Sequence, residues 1–187
     1  QAVKQQKQMA EYERFCAVWD ALKKRYNSVI IQNNFDFPYD SDTGSLAAVK
    51  GRNRFVASLN DKFAEYAESH EGFYIHDLHG LSARIGLRKW HNPSQYAAYK
   101  FAMDYDVMPE VSLGLAKIIR SILGKAKKCL VLDLDNTLWG GVIGDDGMEN
   151  IKIGHETPAA EAYTAWQEYV LRLKERGVIL AVCSKNE

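Results

Sequence analysis

Residues 128–137 read Lys128-Cys129-Leu130-Val131-Leu132-Asp133-Leu134-Asp135-Asn136-Thr137. The apolar run 129–134 predicts a buried strand that delivers two carboxylates at its C-terminal end. In a parallel α/β sheet that end is where ligands bind. The two-residue period of a strand sets Asp133 and Asp135 on the same side before the turn rotates the chain. Two carboxylates so close repel unless a cation lies between them or one holds a proton. Mg²⁺ is the natural cation, being hard, oxygen-loving and suited to phosphate substrates. A calcium loop starting at Asp133 fails, because Leu138 stands where glycine is needed and Gly144 where the bidentate glutamate belongs. The remaining alternative is a turn or helix-capping role for the carboxylates.

Working outward, residues 139–157 are rich in glycine and aspartate and predict turns or a hairpin. Thr157-Pro158 is a helix cap followed by proline at the first helical position. The helix runs to about residue 176, stops at Gly177, and leads into a second apolar strand, 178–183 (VILAVC). Upstream, Met9, Tyr12, Phe15, Trp19, Leu22 and Tyr26 make one face of a helix, and 28–33 (SVIIQN) a short strand. Phe55, Leu59, Phe63 and Tyr66 predict a second helix, 73–78 (FYIHDL) another strand, 81–87 a short helix and 108–125 a longer one. Residues 88–107 show no clear period. Alternating strands and helices predict an α/β fold with mainly parallel sheets, with a joint near 120–128 that separates residues 1–126 from 127–187.

The 187 residues carry 24 Lys+Arg against 24 Asp+Glu, and 47% are apolar. A balanced charge argues against a nucleic-acid or anionic-membrane partner. The apolar fraction is too high for a disordered chain, and no apolar run reaches the roughly 20 residues of a membrane span. Cys16, Cys129 and Cys183 are odd in number and scattered, which argues against a disulfide framework or structural zinc and for a reducing, cytoplasmic setting.

The DLDNT segment after an apolar strand resembles motif I of the haloacid dehalogenase (HAD) superfamily, and the strand ending VILAVCSKN resembles its motif II. The wider wording, KCLVLDLDNTLWGGVIGDDG followed by RGVILAVCSKN, is similar to the FkbH-like proteins of HAD subfamily IIIC. The resemblance implies a truncated parallel-sheet Rossmann-like HAD unit, preceded by a smaller α/β unit. VIIQNNF, FYIHDL and KWHNP in that first unit resemble an SGNH-hydrolase-like segment. By position, the resemblance implies that Asp133 is the nucleophile, forming an aspartyl-phosphate, and that Asp135 is the general acid and base. It implies further that Mg²⁺ is held by the Asp133 carboxylate and the Asp135 carbonyl. Thr137 and Ser184 then hold the phosphate end of the substrate. The implied reaction is glyceryl or acyl loading from an acyl phosphate onto an acyl carrier protein. A small-molecule phosphatase and a non-catalytic carrier-protein docking module are the alternatives. The motif III lysine and motif IV acid would lie past Glu187, so the natural protein is expected to continue and this chain alone to be a poor catalyst.

Other residues read more plainly. Trp139 either lines the substrate entrance or packs in the core, and residues 139–147 are expected as a flap hairpin in which Asp145 and Asp146 are solvated turn residues. Cys129 is expected in the core and Cys183 on the strand face away from Ser184. The first unit lacks a GDS-type serine block in residues 1–70, and Arg88 stands where a D-x-x-H pair with His91 needs an acid. The His76-Asp77-His79 cluster is expected to be hydrogen-bonded structure, and the first unit to lack hydrolase activity.

Overall fold

Apolar residues at helical spacing build the first helix, α1 (Ala2–Arg25), whose Tyr12, Phe15, Cys16 and Trp19 turn to one side. The computed structural model describes residues 2–39 and 44–185, with side chains from residue 6 onward. After α1 come β1 (Ile30–Asn33), a single 3-10 turn (Gly44–Leu46), α2 (Ala47–Lys50), α3 (Arg52–Ser69) and β2 (Phe73–His76). β1 and β2 pair in parallel, Ile30 opposite Phe73 and Asn33 opposite His76, with α3 in the crossover. Leu59, Phe63 and Tyr66 of α3, spaced four and three apart, close over Trp19 and Phe73 to form the core. The Trp19 ring stands 4.6–5.0 Å from those of Tyr66, Phe73 and Phe63, and its indole N–H donates to Gln32 Oε1 at 2.9 Å. Aromatic rings at such spacing contribute beyond their buried area. The stripe expected along α1 holds only in its middle: Met9, Leu22 and Tyr26 are exposed.

The expected strand 73–78 stops at His76, because the Asp77 carboxylate caps α4 (Leu78–Ile85) by accepting the Gly80 N–H at 2.9 Å. The aperiodic stretch 88–107 holds three short elements after α4: α5 (Leu87–Trp90), α6 (Pro93–Tyr99) and a 3-10 turn (Tyr105–Val107). α6 starts where Asn92 Oδ1 accepts the N–H groups of Ser94 and Gln95 ahead of Pro93. Leu78, Leu81, Trp90 and Val107 form a second small core, and α7 (Met108–Ile122) follows.

The chain divides into two units, 1–122 and 123–187. The second unit holds β3 (Cys129–Leu132), α8 (Ile143–Asp146), α9 (Pro158–Glu175) and β4 (Ile179–Val182). β3 and β4 pair in parallel, Cys129 opposite Ile179 and Leu132 opposite Val182. Thr157 caps α9, its Oγ1 accepting the Ala160 N–H at 3.2 Å. Both strands are shorter than expected, and they are not buried throughout. Leu132 is buried, whereas Val131, Ile179 and Val182 are exposed. A parallel pair buries both faces only where layers cover both, and alternation leaves the row of Cys129, Val131 and Ile179 outside, while Val182, on the Leu132 face, is exposed at the strand end. Cys129 lies in that exposed row rather than in the core, and Cys183 is exposed too. Among the described residues no helix is long and apolar enough to cross a membrane.

Candidate functional site

The site starts where β3 ends. Asp133 is the first residue past the strand; it is exposed, with Oδ1 accepting the N–H of Leu134 at 2.8 Å. The chain then turns sharply. Asn136 sits in the left-handed region at φ 51°, which asparagine tolerates better than most side chains. Its backbone N–H donates to the Gly141 carbonyl at 3.2 Å and its Oδ1 accepts the Gly141 N–H at 2.9 Å. The N–H groups of Thr137 and Leu138 both donate to the Leu134 carbonyl, at 3.1 and 2.8 Å. The loop is thus a stapled turn, and it sets Asp135 in place.

Asp135 is half-buried, and one oxygen of its carboxylate, Oδ1, accepts two hydrogen bonds. The Trp139 indole N–H donates at 3.0 Å and the Ile143 backbone N–H at 3.1 Å. Trp139 therefore has a role that neither sequence expectation named: it is a hydrogen-bond donor to the second carboxylate of the pair. The cue was the four-residue step from Asp135 to Trp139, which brings side chains together across a tight turn.

The expected flap is wider than a hairpin over 139–147. Gly140 pairs antiparallel with Lys152, their N–H groups donating to each other's carbonyls at 3.1 and 2.7 Å, and the enclosed chain makes the helical turn α8. Asp146 Oδ2 accepts the Val142 N–H at 2.8 Å, so this carboxylate closes the turn, while Asp145 is exposed. Gly140 is buried against α9, where a Cβ would stand 2.7 Å from Tyr163 Cε2. The Gln167 side-chain amide donates to the Leu138 carbonyl at 2.7 Å and ties the same loop to α9.

Ser184 lies two residues past β4 and is half-buried. The Cys183 N–H donates to the Leu132 carbonyl at 2.8 Å, so the pairing of the strands runs on past their ends. Continuing that register sets Ser184 abreast of Leu134, between Asp133 and Asp135 in sequence. Thr137, with Asn136, Ala162, Tyr163 and Trp166, lines an open pocket of about 330 Å³. Among the described residues no three His, Cys, Asp or Glu side chains converge as a metal cage. Mg²⁺ needs no such cage, since it binds through one or two carboxylates with waters and substrate oxygens. An exposed aspartate followed by a second carboxyl-bearing residue meets that smaller demand.

In the first unit, His76 is buried, its Nδ1 3.0 Å from Asn33 Oδ1, and burial pushes its pKa below the ordinary 6.5. Burial alone would raise the Asp77 carboxyl, but the Gly80 N–H and the Asn34 amide, both donating to Oδ1, hold it below its ordinary 3.8. Hydrogen-bonded structure accounts for His76 and Asp77 of this cluster. His91 has an acidic neighbour that local spacing did not reveal: Asp36 Oδ2 lies 3.1 Å from Nε2 and also accepts the Trp90 indole N–H at 2.8 Å.

No protein-family model matches the chain, and no curated protein matches it. Among solved structures it resembles the N-terminal part of the protein BF1531 from Bacteroides fragilis, described as containing a phosphatase domain and complexed with Mg. Identity is 37% and the TM-score 0.84, and the match covers 96% of this chain and 48% of the other. The chain thus spans about half the length of the structure it matches, and it shares that half's mixed α/β fold with small parallel sheets.

Proposed function

We propose that this protein is a Mg²⁺-dependent phosphoryl-transfer enzyme of the HAD type that works through an aspartyl-phosphate. The observation that carries the reading is the unequal pair at the end of β3. Asp133 is exposed and accepts only its neighbour's N–H among the described hydrogen bonds, whereas Asp135 is half-buried with one oxygen held by two donors. The solved relative's phosphatase domain and its Mg support the same chemistry.

An Asp133 carboxylate oxygen attacks phosphorus, and the bond from phosphorus to the leaving oxygen breaks. Asp135, entering as the acid, gives its proton to that oxygen. As the base it then takes a proton from water, whose oxygen bonds to phosphorus while the bond to Asp133 breaks. Phosphate leaves and both side chains are restored. Ser184 and Thr137 donate to the phosphoryl oxygens. The Asp133 carboxylate and the Asp135 backbone carbonyl would hold Mg²⁺, which would neutralise charge on the phosphoryl group.

The FkbH-like wording of residues 128–147 favours an acyl phosphate as substrate. Loading onto an acyl carrier protein is then a separate attack on the same substrate, in which the carrier thiolate bonds to the acyl carbon while the bond from that carbon to the phosphate oxygen breaks and phosphate leaves. The first unit then serves as an SGNH-hydrolase-like binding module. The test is phosphate release from acyl phosphates and phosphomonoesters by the natural full-length protein, with and without Mg²⁺, beside Asp133→Asn. Release that needs both Mg²⁺ and Asp133 supports the reading, and acyl-phosphate preference supports the loading reaction. Equal release by Asp133→Asn rejects it.

A further inference from the structure

The Asp135 carboxylate has two different donors on one oxygen, a side-chain indole and a backbone amide from the next turn of chain. Trp139 lies four residues on and Ile143 eight, and their N–H groups meet on one oxygen, Oδ1, at 3.0 and 3.1 Å. A carboxylate on a single rotatable Cβ–Cγ bond turns freely when it accepts one bond. Two donors from separate points of the chain fix both its χ1 well and the plane of its oxygens. The backbone that carries the indole is itself held: Asp135 and Trp139 form a backbone bridge, and Gly140, the next residue, pairs with Lys152. We infer that Trp139 is a positioning residue for the proton-transfer group of this site, acting through Asp135. Its indole N–H holds Oδ1 so that the carboxylate presents a fixed edge to the reacting oxygen.

This inference rests on the phosphoryl-transfer reading, in which Asp135 moves the proton. General acid and base catalysis by a placed side chain is worth roughly 100- to 10,000-fold, and a loss of placement forfeits part of it. Ile143 still holds Oδ1 when the indole is gone, so Trp139→Phe is expected to lose about 10- to 100-fold in kcat. The KM for substrate and the Mg²⁺ concentration for half-activation are expected to stay within about twofold, because the indole N–H is engaged on Asp135 Oδ1. Trp139→His, which keeps a ring N–H, recovers part of the loss.

Two measurements on the natural full-length protein separate the possible failures. The first needs no activity: the indole N–H signal of Trp139, assigned by its disappearance in Trp139→Phe, is followed by nuclear magnetic resonance in Asp135→Ala. A clear shift of that signal is expected, and an unmoved signal refutes the contact and with it the inference. The second is steady-state kinetics of wild type, Trp139→Phe and Trp139→His. A wild-type kcat in Trp139→Phe, or a loss that falls on KM alone, overturns the positioning role while leaving the phosphoryl-transfer reading intact. A wild type that releases no phosphate in a Mg²⁺-dependent manner overturns that reading, and the positioning role falls with it even when the signal shifts.

Discussion

Gly140→Ala tests whether the loop that carries Asp135 is seated on α9 as closely as the structure indicates. A methyl group at Gly140 would stand 2.7 Å from Tyr163 Cε2 and 3.1 Å from Lys152 Cβ, about 0.7 Å inside ordinary contact for the ring. The lysine side chain gives way easily. The ring, which also borders the open pocket beside Trp166, gives way only by moving off the loop that Gln167 ties to α9. Forced overpacking costs about 1–3 kcal/mol, and the stiffer unfolded chain of alanine offsets about 0.4–1 kcal/mol of it. A net loss of about 1 kcal/mol lowers the melting temperature of a unit this size by roughly 4–8 °C. Thermal unfolding followed by circular dichroism on four proteins checks it: wild type, Gly140→Ala, Tyr163→Ala and the double variant. With the ring removed, Gly140→Ala is expected to cost nothing or to stabilise slightly. An equal cost in both backgrounds, or no cost in either, refutes the close seating.

Two further predictions concern the first unit. Trp19→Ala removes the ring around which Phe63, Tyr66 and Phe73 pack and leaves the Gln32 carbonyl without its donor, so it is expected to cost about 3–5 kcal/mol in urea unfolding; a loss under about 1 kcal/mol contradicts this core. His76 has a folded pKa lowered by burial, so the unfolded chain takes up the proton first as pH falls. Stability is therefore full above about pH 6.5 and declines below it, and melting curves from pH 7.5 to 5 in wild type and His76→Gln are expected to show a flatter dependence in the variant. The Asp77 contribution is lost only at lower pH, through its folded pKa below 3.8, so it does not blur that window.

The elements with a strong period were legible in the sequence. The helices over 52–69, 108–122 and 158–175 and all four short strands lie where apolar spacing and the Thr157-Pro158 cap set them. What escaped were features set by single side chains. Asp77 ends β2 two residues early by capping a helix, and Asn92-Pro93 starts another in a stretch without period, although an asparagine before a proline is a readable cap. The expected burial of both strands of the second unit failed because hydrophobicity says how apolar a residue is, not whether a layer covers its face. For the candidate site, the placement of Asp133-x-Asp135 and of Ser184 just past two strands was legible, since a strand followed by a turn is written in consecutive residues. The Trp139–Asp135 bond and the Asp36–His91 pair depend on a turn and a long crossover, and residue spacing alone carries no trace of the second.

The central claim, a covalent phosphoryl group on Asp133, is tested most directly by acid-quenching the natural full-length protein during turnover of an acyl phosphate with Mg²⁺ and mapping the modified peptide by mass spectrometry. The account predicts one phosphoryl group on Asp133 that hydroxylamine removes and that Asp133→Asn lacks. Steady turnover with an unmodified Asp133, or the same label retained in Asp133→Asn, would contradict it.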